Sequence, residues 1–359
     1  MTTERGAAAD RSAADRSAAM LGLGIGGSLA DVAGLALMAE RRGFESAWVA
    51  ELTRSATVQA AAAIAATSSI GVGTAAALAF PRSPTLMAME AWDLDELSGG
   101  RFLLGLGSQV KRVMEARFAV AFEHPAARLA DYAAAVRSVW AANRGEPVTH
   151  DGSFYRIAMP TFHGPAQPGR RDVPILFAAV GPVMSRTAGT IADGVLGHPL
   201  ASPRYLGTVV APAIAAGLEI SGRPANACPV TAAPIVSIGA DPLEARRAAR
   251  LQIAFYATTR AYAPILALHD RESIQGDLRR AFVRRDRERM IELVDDELLD
   301  AIAVAGRSDE ARDRLAGWHA AAARAGATIE RVVLSAPWYG MDPGRHREMI
   351  EAIGETLGG

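Results

Sequence analysis

Two groups of residues in this 359-residue chain have types and spacing that could do chemistry. The first is LGLGIGG, Leu21 to Gly27, whose glycines at 22, 24 and 27 spell G-x-G-x-x-G. Glycines in this pattern let a backbone approach a dinucleotide pyrophosphate, provided a buried strand precedes them and an acid for the ribose follows about 20 residues on. Neither condition holds here, because residues 1 to 19 are dominated by Ala, Ser, Arg and Asp, and Glu40 and Glu45 come too early. The glycines themselves are therefore expected to form the first strand. The second group is aromatic and polar, Phe255, Tyr256, Arg260, Tyr262 and His269, and stands just before the mixed charge run RRAFVRRDRERM (279 to 290). The run reads as a solvated helix. No other motif competes: the 7 histidines have no H-E-x-x-H or comparable metal spacing, and nucleophile-elbow and P-loop patterns are missing.

Composition limits the rest. A chain of 359 residues is long enough for two domains or for one α/β barrel with insertions. The net charge of −1 offers no electrostatic footprint for nucleic acid, and Lys111 is the only lysine, a skew of base composition rather than of binding. Cys228 is the only cysteine, so an intrachain disulfide or Cys-based zinc site is excluded, and a structural thiol in a reducing, cytoplasmic compartment is expected. The uncharged run 58 to 80 is long enough to cross a bilayer, but Thr67-Ser68-Ser69 divides it into a helix-like and a strand-like piece, so it is read as buried rather than membrane-spanning. No signal peptide is legible, and residues 1 to 19 read as a disordered extension ahead of a single domain from 20 to 359.

Along that domain, short apolar runs alternate with helix-period segments. Expected strands after the first are AWVA (47 to 50), Ile70 to Phe80, RFLLGLG (101 to 107), ILFAAV (175 to 180), GVLGHPL (194 to 200), TAAPIVSIG (231 to 239) and RVVLSAPW (331 to 338). Helices are expected between them, two of them opened by Ser202-Pro203 and Asp241-Pro242. Eight such alternations predict a (β/α)8 TIM barrel, with an insertion at about 258 to 305 near its mouth.

IGVGTAAALAFPRSP (70 to 84), AWDLDELSGGRFLLGLGSQV (91 to 110), AAVGP (178 to 182), ADGVLGHP (192 to 199) and IAFYATTRAY (253 to 262) closely resemble the luciferase-like monooxygenase superfamily. Within it they look most like the oxidoreductases that use the deazaflavin coenzyme F-420. The resemblance implies a cofactor at the C-terminal ends of the strands, buttressed by a non-proline cis peptide that aligns with Ala75–Ala76. It implies further cofactor contacts at Gly107, Ser108 and Gln109, at Ala178, Ala179, Val180 and Gly181, where a phosphate would meet a helix N-terminus, and at Gly197 and His198. Several relatives carry an acid followed by histidine after strand two. Here the pair is Glu51-Leu52, which leaves Glu51 as the expected acid/base, with Gln109 or His198 polarising the substrate. The activity so implied is hydride transfer between F-420 and a small organic substrate; alternatives on the same barrel are an FMN-dependent monooxygenase and a deazaflavin- or flavin-binding barrel without turnover. A small-molecule substrate, no nucleic-acid or membrane partner, and a homodimer complete the expectation.

Overall fold

The computed structural model describes residues 19–146, 148–159 and 172–359. The N-terminal extension, and His163 in the proline-containing loop, lie outside the described residues. Eight parallel strand positions close into a barrel: Met20–Ile25, Ser46–Val49, Gly71–Thr74 resuming as Ala77–Leu78, Phe102–Gly107, Ile175–Ala179, Gly194–Gly197, Val230–Ala232 and Ile329–Leu334. The first strand pairs with both the second and the eighth, and the third pairs with the fourth, so no edge is left open. All eight expected strands are present, and the glycine-rich LGLGIGG is the first of them.

The helices start where the sequence supplies caps. Ser28, Ser55 and Ser83 each accept a hydrogen bond from the first turn of the helix they open, and Ser202 and Asp241 do the same before Pro203 and Pro242. The run 58 to 80 divides as read, into the helix Ala56–Ala65 and the third strand. Among the described residues no helix is long and apolar enough to cross a membrane.

Strand alternation separates two cores. Leu104, Phe177, Val195 and Leu334 face the helices, whereas Trp48, Leu176, Leu196 and Val333 pack together inside the barrel, with Ala76, Leu103, Ala178 and Ala233 against them. Trp48 needs space that only glycine leaves. A Cβ on Gly22 would stand 2.8 Å from the Ser46 hydroxyl and 2.9 Å from the Trp48 indole nitrogen, and one on Gly73 would enter the Trp48 ring. Gly22 and Gly73 thus make room for Trp48 inside the barrel.

Three expectations need correction. The seventh strand ends at Ala232; beyond it the Pro234 carbonyl accepts the Ser335 N–H at 3.1 Å, Ile235 bridges Ser335, and Ile235–Gly239 pairs in parallel with Ala303–Arg307. Both pieces are largely apolar, and Pro234 is the mark of the break between them. The charge run 279 to 290 is two helices, not one: Ile274–Arg284 ends at Arg285 in the left-handed region (φ 58°), and Asp286 caps Arg287–Glu292. The loop before strand five contains an antiparallel hairpin, Val148–Asp151 with Arg156–Met159. It is pinned to the helix Pro125–Asn143 by Asp131, which accepts from the Phe154 and Tyr155 amides and lies 2.7 Å from His150 Nε2.

Candidate active site

The third strand breaks where the resemblance aligned a special peptide, and Ala75–Ala76 is cis. From Gly73 to Ala77 the third strand advances four residues while its partner advances three, from Leu103 to Leu106, so one extra residue bulges out. Thr74 repairs the interrupted ladder. Its buried hydroxyl donates to the Gly105 carbonyl at 2.8 Å and accepts the Gly105 N–H at 2.9 Å. The Ala75 N–H donates to the Val49 carbonyl at 2.7 Å, and the Ala76 carbonyl accepts the Glu51 N–H at 3.4 Å. Ala75 is exposed and Ala76 half-buried, so the pair forms a small, flat step at the mouth.

The step continues sideways without side chains in the way. A Cβ on Gly107 would meet Ala76 Cβ at 3.1 Å and Ala178 Cβ at 3.6 Å, which leaves a shallow cradle across strands three, four and five. Gln109 sits at φ 59°, with its Oε1 accepting the Val110 N–H at 3.0 Å, so its amide NH2 is the end left to donate. The Ser108 hydroxyl donates to the Gln109 carbonyl at 3.2 Å. On the far side, Gly181 opens the helix Pro182–Ile191 with no side chain capping it. The first-turn amides of that helix suit an anion, since the helix dipole and free N–H groups act together there. Val180 and Gly181 are partly accessible, whereas Ala179 and Gly197 turn toward the helix layer and reach the mouth only through backbone.

Glu51 is not free for its expected acid/base role, because both its carboxylate oxygens are engaged. It follows strand two, which ends at Val49, and is 8% exposed, whereas Leu52 is 40% exposed. Glu51 Oε2 accepts from the Leu78 N–H at 2.7 Å and from Arg82 Nη1 at 2.8 Å, while Oε1 accepts from Arg82 Nη2 at 2.6 Å. With both oxygens engaged in a buried bidentate pair, the carboxylate is a brace between strand two and the segment following the cis peptide. Proton exchange would break that brace.

His198, by contrast, stands at the mouth after strand six. Its Nδ1 accepts the Leu200 N–H at 3.1 Å, so the proton of the neutral ring belongs on Nε2. Burial holds its pKa down at about 3, which keeps the ring neutral near pH 7. The ring lies between Tyr256 and Tyr262, with centroid distances of 4.7 and 4.4 Å. Of the aromatic cluster read from the sequence, these two reach the mouth; His269 is instead 2.8 Å from the Ser202 hydroxyl, at a helix start outside the barrel. Sequence reasoning missed Thr74, Arg82, Gln252 and Trp338. Only the Pro-Arg-Ser-Pro turn around Arg82 carried a signal, and its link to Glu51 spans 31 residues.

Known proteins resemble this chain in sequence and in fold. The luciferase-like monooxygenase family matches residues 7–325. An uncharacterized protein of Mycobacterium tuberculosis is 40% identical over 288 residues, 78% of this chain and 84% of its own. A 5,10-methylenetetrahydromethanopterin reductase of Methanolobus tindarius is 30% identical over 294 residues, 79% of this chain and 85% of its own. Among solved structures, the coenzyme F-420 dependent tetrahydromethanopterin reductase of Methanopyrus kandleri shares the fold with a TM-score of 0.76 at 24% identity, over 94% of this chain and 98% of that one. With a match that extends over most of its length and places every strand of the barrel up to the helix before the eighth, the chain belongs to the luciferase-like monooxygenase family.

Proposed function

We propose that the protein is an F-420-dependent oxidoreductase that transfers a hydride between the deazaflavin and a small organic substrate with an activated C=C, C=N or C=O bond, or runs the reverse oxidation. The observation that carries this reading is the side-chain-free face of Gly107 between Ala76 and Ala178. A planar tricyclic ring fits such a surface, and a Cβ at 107 would intrude on it. The uncapped helix start at Gly181 suits the phosphate of the same ligand. A putative coenzyme F-420-dependent oxidoreductase of Mycobacterium tuberculosis, 31% identical over 306 residues, and a solved F-420-dependent secondary alcohol dehydrogenase in complex with an F-420–acetone adduct (TM-score 0.70, 17% identity) support the cofactor choice. When bound, the deazaflavin supplies hydride chemistry without ready activation of oxygen.

The chain's own residues would then divide the work. Ala75, Ala76 and Gly107 orient the ring from one side, Gln109 offers an amide donor at the edge, and His198 offers Nε2–H to the substrate. Glu51 and Arg82 hold the step in place rather than moving protons. FMN remains the rival cofactor, because an FMN-bound 3,6-diketocamphane monooxygenase from Pseudomonas putida has the same fold at a TM-score of 0.64. Parallel fluorescence titrations of the purified protein with F-420 and FMN decide between them. Tighter F-420 binding is expected; preference for FMN redirects the search to oxygen-consuming reactions, and binding of neither removes the cofactor assignment.

A homodimer belongs to the same reading. Val58, Leu86, Met89 and Leu97 are 52%, 46%, 50% and 58% exposed on two adjacent helices, an apolar face of the kind that associates.

A further inference from the structure

The helix Pro242–Ala257 carries Gln252 and Tyr256 one turn apart to the exit of strand eight. Gln252 is 1% exposed, and its Oε1 accepts the Trp338 and Tyr339 N–H groups, each at 2.8 Å. That fixes the amide, and its buried Nε2 end lies beside the Tyr256 hydroxyl. Trp338 Nε1 donates to the Tyr256 hydroxyl at 3.2 Å. A phenol oxygen that accepts in this way has its own proton left to give, and no acceptor among the described residues takes it. Beside it, His198 carries its proton on Nε2, again with no partner there. Both rings are half-buried, His198 just after strand six and Tyr256 beside the segment that follows strand eight. Two neutral donors thus stand together, walled by aromatic faces, with no carboxylate in contact with either ring.

We propose that Tyr256 and His198 jointly hydrogen-bond one carbonyl oxygen of the substrate, and that the substrate is a conjugated or aryl carbonyl compound lying against Tyr262. Two neutral donors favour a neutral acceptor that gains negative charge as a hydride arrives, because they strengthen as that charge develops. They leave a carboxylate or phosphate substrate without a counter-charge. An aromatic wall suits a flat, conjugated body. Gln252 and Trp338 are positioning residues: the first fixes the turn that carries Trp338, and the second orients the phenol. This inference rests on the hydride-transfer reading for its chemistry, but its binding site can be tested without the cofactor.

The probe is 4-(dimethylamino)cinnamaldehyde, whose absorbance band moves to longer wavelength when its carbonyl oxygen accepts hydrogen bonds. Titration of the full-length protein is expected to give a saturable red shift. Tyr256→Phe should lose half or more of that shift and weaken the probe at least fivefold, with F-420 binding changed less than twofold. Trp338→Phe, which keeps the phenol but removes its orienting donor, should give a smaller loss in the same direction and serves if the first variant does not fold. No red shift in the native protein, or an undiminished one in folded Tyr256→Phe, overturns the proposal. A red shift without F-420 binding would sink the cofactor assignment and leave the carbonyl site standing.

Discussion

Thr74 and Gly105 are tied twice through one hydroxyl, which donates to the Gly105 carbonyl at 2.8 Å and accepts its N–H at 2.9 Å. Across the bulge that accompanies Ala75–Ala76, this side chain does what two backbone groups do elsewhere in the ladder. The adjacent glycine is obligatory, since a Cβ at 105 would collide with the Thr74 carbonyl oxygen.

Thr74→Val keeps the shape of the side chain but leaves a buried N–H and a buried carbonyl unpaired. A loss of about 3 kcal/mol is expected in urea unfolding, given roughly 1–3 kcal/mol for each unsatisfied group. F-420 affinity should fall with it, because the step loses its support. Unchanged stability in Thr74→Val would show that the ladder closes by another route.

Removing one partner of the Glu51–Arg82 pair strands a buried charge. Arg82→Met should therefore destabilise by about 3–5 kcal/mol. Glu51→Gln keeps the Leu78 N–H partner and is expected to cost less. If Glu51 is a brace, Glu51→Gln weakens cofactor binding without altering the pH dependence of turnover; a lost ionisation in the pH profile of kcat would restore the acid/base role.

Burial depresses His198 to about pKa 3, and the rings of His269 and His346 are lowered as well. Below about pH 6.5 the unfolded chain takes up a proton at His198 that the native protein refuses until about pH 3. Native stability should consequently fall as pH drops through that window, by about 1.4 kcal/mol per pH unit from this group alone. His198→Gln should flatten the acid limb of a stability-versus-pH curve measured by chemical unfolding. Near pH 7 the native ring stays neutral, so no imidazolium ionisation should appear in turnover between pH 5 and 8.

Cys228 is 4% exposed, and burial pushes its thiol up to about pKa 11. Iodoacetamide at pH 8 should label it slowly in the native protein and quickly after unfolding. Rapid native labelling would mean that the segment around Cys228 opens readily.

The apolar face on the helices Ala56–Ala65 and Pro84–Ser98 predicts association. Sedimentation velocity should give a dimer, and Met89→Lys, at a site 50% exposed, should shift it toward monomer without loss of fold. A monomeric native protein removes the homodimer from the proposal.

The alternation of apolar runs and capped helices was enough to determine the barrel. Buried strands and amphipathic helices are local patterns, and Ser28, Ser55, Ser202 and Asp241 mark helix starts within a few residues of what they cap. The resemblance added the position of the cis peptide and the strand ends around it. Tertiary structure alone decided which side chains share the mouth. Glu51 is close in sequence to the expected site, yet Arg82, 31 residues further on, binds both its oxygens. The apolar run that contains Pro234 serves two sheets, because Ile235 still bridges Ser335 at the exit of strand eight while Ala303–Arg307, nearly 70 residues later, pairs with Ile235–Gly239. Gln252, Tyr256, Trp338 and His198 meet across 140 residues of chain, as Gln252 fixes Trp338, Trp338 orients Tyr256, and Tyr256 packs on His198. Such contacts depend on where closed strands deliver their ends, a property of the barrel's geometry that no local spacing encodes.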